Sequence, residues 1–451
     1  MRFLFVVLVA VPLFGQRELG REIFKQLIEI NTGDSVGDNT RAANVMAERF
    51  VAAGFPAGDV QVLGPVARKG NLIVRWRGKG TEKPILFLGH LDVVEALRSD
   101  WSFDPYVFRE EGGYFYGRGT TDMKGDDATL VAAFLRLKRE GFRPSRDLIL
   151  ALTSDEENGN SNGVMWLLKN HRALIDAEYC INLDGGGGAL RKGARLYYSV
   201  QAAEKTSVHF KVEVTNPGGH SSQPVKENAI YRLAAGLERL SRFEFPVALN
   251  DVTRSFLERM SQLEKGQTSA DLKAILSNPR DAEAGGRLSG SGFFNAQLRT
   301  TCVATQLAAG HAPNALPQTA TANVNCRILP TDSVDGIERR LNEAMGDSNI
   351  KITRPVGTGV SPMSLPDAKL LGTVKGLVER LWPATPVVTV MDTGASDGKF
   401  LRLAGIPTYG ASGMFGDLDD NRAHGRDERC LASSFYEGME FMYGLVRELG
   451  R

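Results

Sequence analysis

The sequence lacks several features that would assign it to a class at once. No apolar run is long enough to cross a bilayer: the most apolar stretch, residues 3–14, has twelve residues, and a spanning helix needs about 20. Neither sign of charge prevails. With 54 basic and 53 acidic residues the net charge is +1, which gives no electrostatic reason to expect nucleic acid or an anionic membrane as partner. Cysteine is sparse. Cys180, Cys302, Cys326 and Cys430 lie far apart and form no C-x-x-C pair, so thiolate zinc is not expected. Their spacings outline no disulfide framework, and buried free thiols are the expectation. Internal repeats and low-complexity tracts are absent.

What is present begins with length. A chain of 451 residues exceeds the roughly 250–300 at which a single core stops growing, so two domains are expected. Arg2, the short apolar run and the polar sequence after Gly15 read as an export signal over residues 1–15. That reading places the mature protein in the periplasm or outside the cell.

Helical spacing covers 18–30 and 40–53, the latter stopping at Gly54. Apolar strand-like runs then alternate with helical ones: 71–76, 85–90, 147–153 and 179–184 as strands, 128–139 and 163–171 as helices. This alternation predicts an α/β layer with a mostly parallel mixed sheet buried on both faces by helices. Near residue 205 the pattern changes. Residues 207–215, 297–305 and 319–328 alternate polar and apolar, as strands with one wet face do. Helical stretches at 226–241 and 334–345 accompany them, and 261–291 reads as a loosely packed helical insertion. The predicted organisation is a first catalytic part at 16–204, an inserted α+β domain at 205–360, and a second catalytic part at 361–451.

Acidic and histidine residues fall at strand ends. His90 and Asp92 follow one apolar run, Asp155, Glu156 and Glu157 a second, and Asp184 closes a third. Asp122 precedes a helix and His424 lies in a late loop. In an open α/β sheet the crevice lies beyond the carboxyl ends of the strands. Carboxylates crowded there repel one another unless a cation neutralises them. Imidazoles mixed with carboxylates suit zinc, whereas calcium takes oxygen ligands. Asp92, two residues from His90, suits the carboxylate that fixes the tautomer of a ligating imidazole.

The motifs G-H-L-D-V-V, G-R-G-T-T-D-M-K-G, T-S-D-E-E, N-L-D-G-G and A-H-G-R-D-E, in this order over nearly the whole mature chain, resemble those of the di-zinc aminoacylase, carboxypeptidase G and dipeptidase family. That family also holds acetylornithine deacetylase and succinyl-diaminopimelate desuccinylase. The resemblance implies a zinc-exopeptidase-like fold with an inserted lid and dimerisation domain. It implies two zinc ions, with cobalt or manganese as substitutes. His90 and Asp184 would bind one, Glu157 and His424 the other, and Asp122 both. Asp92 would support His90, and Glu156 would be the general base for a water shared by the metals. In N-P-G-G-H-S-S-Q-P, His220 would assist at the scissile carbonyl of a partner subunit in a homodimer. Asn314 and Arg327 would hold the substrate carboxylate, with Gly394 in a substrate-lining loop.

The activity so implied is hydrolysis of an amide or peptide bond beside a free carboxylate, of dipeptidase or carboxypeptidase type. An N-acyl-amino-acid amidohydrolase would use the same site. Small peptides or N-acyl amino acids are the expected partners, with no nucleic acid and no stable membrane span. A rival lies in G-A-S-D-G (394–398), which matches a nucleophile elbow between a strand and a helix. Ser396, Asp420 and His424 would then form a serine-hydrolase triad.

Overall fold

The computed structural model describes residues 10–355, 359–365 and 367–451, with side chains from Gly15 onward. Most of the expected export segment, residues 1–9, lies outside the described residues, and Ala10 starts a helix that runs to Ile28. Among the described residues no helix is long and apolar enough to cross a membrane.

The chain divides into two compact units. The first comprises Met1–Ala202, Ser364–Thr389 and Ser396–Arg451; the second comprises Ala203–Met363 and the short piece Val390–Ala395. The inserted domain thus has edges at 203 and 363, and it also takes in the loop carrying Gly394.

The first unit is built on a mixed sheet. Its strands run in the order Val60–Leu63, Asn71–Trp76, Leu148–Thr153, Ile85–His90, Tyr179–Asn182, Thr408–Gly410, Ala194–Glu204, Gly187–Arg191 and Phe415–Asp417. The middle four are mutually parallel, and antiparallel pairs flank them. Every residue of Leu148–Thr153 and Ile85–His90 is buried, as their unbroken apolar runs require of a sheet covered on both faces. Alternate residues serve alternate faces. Leu86 and Leu88 pack with Val164, Leu167 and Leu401 from helices on one side. Phe87 meets Phe134 of the helix Lys124–Arg139 on the other. Each such side chain contributes about 1.5–3 kcal/mol on burial. Gly89 is held to glycine by closeness, since a Cβ there would lie 2.1 Å from Asp127 Oδ1.

In the second unit, the strands order as Thr301–Ala309, Thr319–Ile328, Thr206–Thr215 and Lys351–Thr353, all antiparallel. The helices Ala229–Arg242 and Val334–Met345 pack on one face, with Leu233, Leu240, Ile337 and Leu341 in the shared core. Two expectations need correction here. Residues 297–298 end a helix, and the strand starts only at Thr301. The insertion is not loose: the helices Asp251–Leu263, Gly266–Ser277, Ala282–Ser289 and Gly292–Leu298 bury Phe256, Leu257, Leu272, Ile275, Leu288 and Leu298.

The cysteine expectation holds for half the set. Cys180 and Cys430 are buried free thiols. Cys302 and Cys326 instead form a disulfide. The reason is register: the antiparallel pairing sets these two residues directly opposite each other.

Candidate metal centre

Three adjacent parallel strands deliver the first ligands. His90 is the last residue of its strand. The strand Leu148–Thr153 on one side leads into Asp155, Glu156 and Glu157, and Tyr179–Asn182 on the other leads into Asp184. Asp122 arrives from the turn before the helix Lys124–Arg139, and the Asp122–Met123 peptide is cis. His424 comes from the loop before the strand Arg429–Leu431.

These side chains converge. His90 Nε2 lies 3.1 Å from Asp122 Oδ1, while His424 Nε2 lies 3.0 Å from Asp122 Oδ2 and 3.0 Å from Glu157 Oε1. One carboxylate therefore faces one imidazole with each oxygen. Possible ligand atoms of His90, Asp122 and Glu157 group within 4.8 Å of one another, as do those of His90, Glu156 and Asp184. All five expected metal ligands and Glu156 thus fall in one cluster.

The second group includes Glu156, which the sequence reading kept apart from the ligands. Asp92 also differs from expectation. The His90 Nδ1–H finds the backbone carbonyl of Asp92 at 3.0 Å, whereas the Asp92 carboxylate is 3.7 Å away. Donation from Nδ1 leaves the Nε2 lone pair for a cation. The Asp92 carboxylate instead accepts the backbone N–H groups of Glu156 at 3.1 Å and Glu157 at 3.0 Å. It holds the loop that presents them.

Several positioning groups were not foreseen. Asp155, next to Glu156, has a left-handed backbone (φ 65°) and pairs with Lys69 Nζ at 2.6 Å. It also accepts the Ser161 N–H. His424 is left-handed too, at φ 62°. Such conformations cost about 1–3 kcal/mol and persist only where surrounding contacts enforce them. Arg118 and Glu428 stood in the quoted motifs without a role, and Lys69 carried no motif at all.

The electrostatics fit a cation. Burial alone would lower the His90 pKa, but Asp122, Asp184 and Asp92 outweigh it and hold it well above the usual value. Hydrogen bonds to Asp122 and Glu157 raise His424 to about 10. Burial opposes ionisation of Asp122, yet His424 and His90 hold its carboxyl below the usual range. Burial, joined by Asp397, Glu157 and Asp92 against the pull of His90, drives Glu156 well up. Burial and Glu156 do the same to Asp184. Protons on two imidazoles thus bind carboxylates that a divalent cation would bind, and the donor set of imidazole nitrogen and carboxylate oxygen suits zinc.

The remaining expected residues belong to the second unit. His220 is exposed and pairs with Ala315 in a two-residue ladder, while the Asn314 carbonyl accepts the Ser221 N–H at 3.0 Å. The Ser222 N–H donates to His220 Nδ1 at 3.2 Å. With Nδ1 accepting, a neutral ring carries its proton on Nε2. Arg327 lies in the central strand opposite Ser207 and Thr301, and burial lowers its pKa. Gly394 is exposed, and a Cβ there would meet nothing within 4 Å.

The serine-triad reading fails on geometry. Ser396 is buried at 5% exposure and accepts from Asn182 Nδ2 at 3.1 Å. His424 is engaged with Asp122 and Glu157, and Asp420 with Arg422 and Arg429.

Comparison with known proteins identifies the family. The model of Peptidase family M20/M25/M40 matches residues 86–448. A probable carboxypeptidase S-like 2 of Dictyostelium discoideum is 28% identical, over 84% of this chain and 74% of its own. A human N-fatty-acyl-amino acid synthase/hydrolase is 27% identical, over 81% and 74%. Among solved structures, an M20 family metallo-carboxypeptidase from Sulfolobus solfataricus superposes with a TM-score of 0.73 at 16% identity, covering 96% of this chain and 99% of that one. Ligand cluster, fold and family match converge: the chain belongs to peptidase family M20/M25/M40 and is a metal-dependent hydrolase.

Proposed function

We propose that the protein is an exopeptidase of dipeptidase or carboxypeptidase type, cleaving an amide bond beside a free carboxylate. The observation that carries this reading is the Asp122 carboxylate set between His90 and His424, one oxygen to each, with Glu156 alongside. Two divalent cations, zinc by preference and cobalt or manganese as substitutes, would supply Lewis acidity and water of lowered pKa. His90 and Asp184 would hold one, Glu157 and His424 the other, and Asp122 both.

Glu156 takes a proton from the attacking water on its carboxylate and returns it to the leaving amine nitrogen. Asp92 keeps Glu156 and Glu157 in place through their backbone N–H groups. His220 donates Nε2–H to the oxygen on which negative charge develops. Arg327, assisted by Asn314, binds the substrate carboxylate, for which a guanidinium fork is suited. Gly394 contributes a stretch of substrate-lining backbone without a side chain.

A homodimer would bring His220 to a partner's site. The strand Thr301–Ala309 is an edge of its sheet and exposes Val303 and Leu307, as an edge meant for pairing does. Light scattering tests the dimer, and Leu307→Lys should weaken it. Export follows from the basic and apolar N-terminal sequence, and sequencing the mature N-terminus from the native host tests it.

A second reading, N-acyl-amino-acid amidohydrolase, is favoured by the human relative that carries that activity in its name. Zinc-loaded protein assayed on dipeptides, N-acyl amino acids and their C-terminal amides separates the readings. Both expect free acids to be cleaved and amides to be refused. Equal turnover of amides would contradict the role of Arg327.

A further inference from the structure

Glu428 and Arg118 form an ion pair, Nη1 to Oε2 at 2.7 Å, with both side chains almost wholly buried. Glu428 does more than balance a charge. Its Oε2 also accepts the Gly119 N–H at 3.0 Å, and its Oε1 accepts the N–H groups of Thr121 at 2.7 Å and Asp122 at 3.1 Å. Arg118 turns its other nitrogen to the opposite loop, donating from Nη2 to the carbonyls of Gly425 at 3.0 Å and His424 at 3.4 Å. The pair therefore grips the backbone of Asp122 on one side and of His424 on the other. Among the described residues, its hydrogen bonds reach none of His90, Glu157 and Asp184. Their loops rest instead on Asp92 and on Asn182, whose Oδ1 accepts the Asp184 N–H.

We infer that Glu428 and Arg118 are positioning residues for the metal pair, and above all for its Glu157–His424 half. They hold both His424 and Asp122 for that position, whereas the His90–Asp184 position depends on them through Asp122 alone. Two points of physics support the division. A carboxylate taking three backbone N–H bonds and a guanidinium bond fixes the direction of a turn, not only its charge. His424 sits in a left-handed conformation (φ 62°), which persists only where surrounding contacts enforce it, and the Arg118 bond to the next carbonyl, that of Gly425, is one such contact. The inference rests on the two-metal reading above and adds a hierarchy to it: the second position depends on the pair through two ligands, the first through Asp122 alone.

The test uses zinc-loaded full-length protein, wild type against Arg118→Met, Glu428→Gln and the double variant R118M/E428Q. The double variant leaves neither charge buried alone and so guards against simple misfolding. Zinc per chain is measured by elemental analysis after dialysis, with chelator competition for each equivalent and thermal melting as a control on folding. The expected result is two equivalents in the wild type. In the folded variants one equivalent is weakened about 10- to 100-fold, and the other by distinctly less. Loss of both equivalents in parallel would mean general loosening and would overturn the inference. So would two equivalents held with wild-type affinity. Fewer than two in the wild type would instead bring down the two-metal reading, and the inference with it.

Discussion

His424 Nε2 lies 3.0 Å from Asp122 Oδ2, the oxygen that His90 does not use. A carboxylate divided in this way ties two ligand sets through a single side chain. Shortening it should disturb both sets, whereas removing either histidine should disturb one. Asp122→Ala is expected to lower affinity for both metal equivalents, as measured by chelator competition.

Glu156 lies within ligand reach of His90 and Asp184, yet its proposed task is proton transfer. Glu156→Gln separates the two roles. Metal content is expected to stay at the wild-type level while turnover falls roughly 10²- to 10⁴-fold. Loss of a metal equivalent in that variant would make Glu156 a ligand instead.

Asp92→Ala should act through the Glu156–Glu157 loop. The backbone carbonyl that binds His90 survives any substitution, but the acceptors for two N–H groups do not. Metal affinity is expected to fall about 10- to 100-fold together with kcat. Asp92→Asn keeps one oxygen acceptor and should fall between. An Asp92→Ala enzyme with unchanged kcat and metal affinity would remove the loop-holding role.

Asp126 predicts a pH effect on stability. Burial raises its carboxyl to about 7, although Ser412 Oγ donates to it at 2.8 Å. In the unfolded chain it titrates near 4. The folded state therefore holds the proton more tightly between about pH 4 and 7. This group's contribution is favourable below that window and is lost as pH rises through it. Asp126→Asn should remove this component, so that its Tm falls less than the wild type's between pH 4 and 7. Parallel melting profiles would contradict the assignment.

The Cys302–Cys326 link closes a loop with a sequence separation of 24, for which chain entropy suggests about 3 kcal/mol. The double Cys→Ser variant is expected to melt roughly 5–10 °C lower. Thiol titration of unfolded, unreduced protein should count two groups, Cys180 and Cys430.

Much of the site was legible because strand ends are. An apolar run between helices fixes where a buried parallel strand stops, and His90, Glu156 and Asp184 follow such stops. What escaped was contact across long separations. Arg118 and Glu428 are 310 residues apart, and Lys69 meets Asp155 across 86. No local period marks either pair. Asp92 was located correctly but assigned the wrong contact, because sequence proximity to His90 suggested the imidazole while the adjacent strand brought two backbone donors nearer. The disulfide depended on hairpin register, which alternation alone leaves open by two-residue steps.

The central claim is a metal pair that shares Asp122. Anomalous diffraction at the zinc edge from zinc-loaded crystals tests it most directly. The expected map has two peaks about 3.5–4 Å apart, one beside His90 and Asp184, the other beside Glu157 and His424, with an Asp122 oxygen at each. A single fully occupied peak, or two peaks neither of which touches Asp122, would contradict the account.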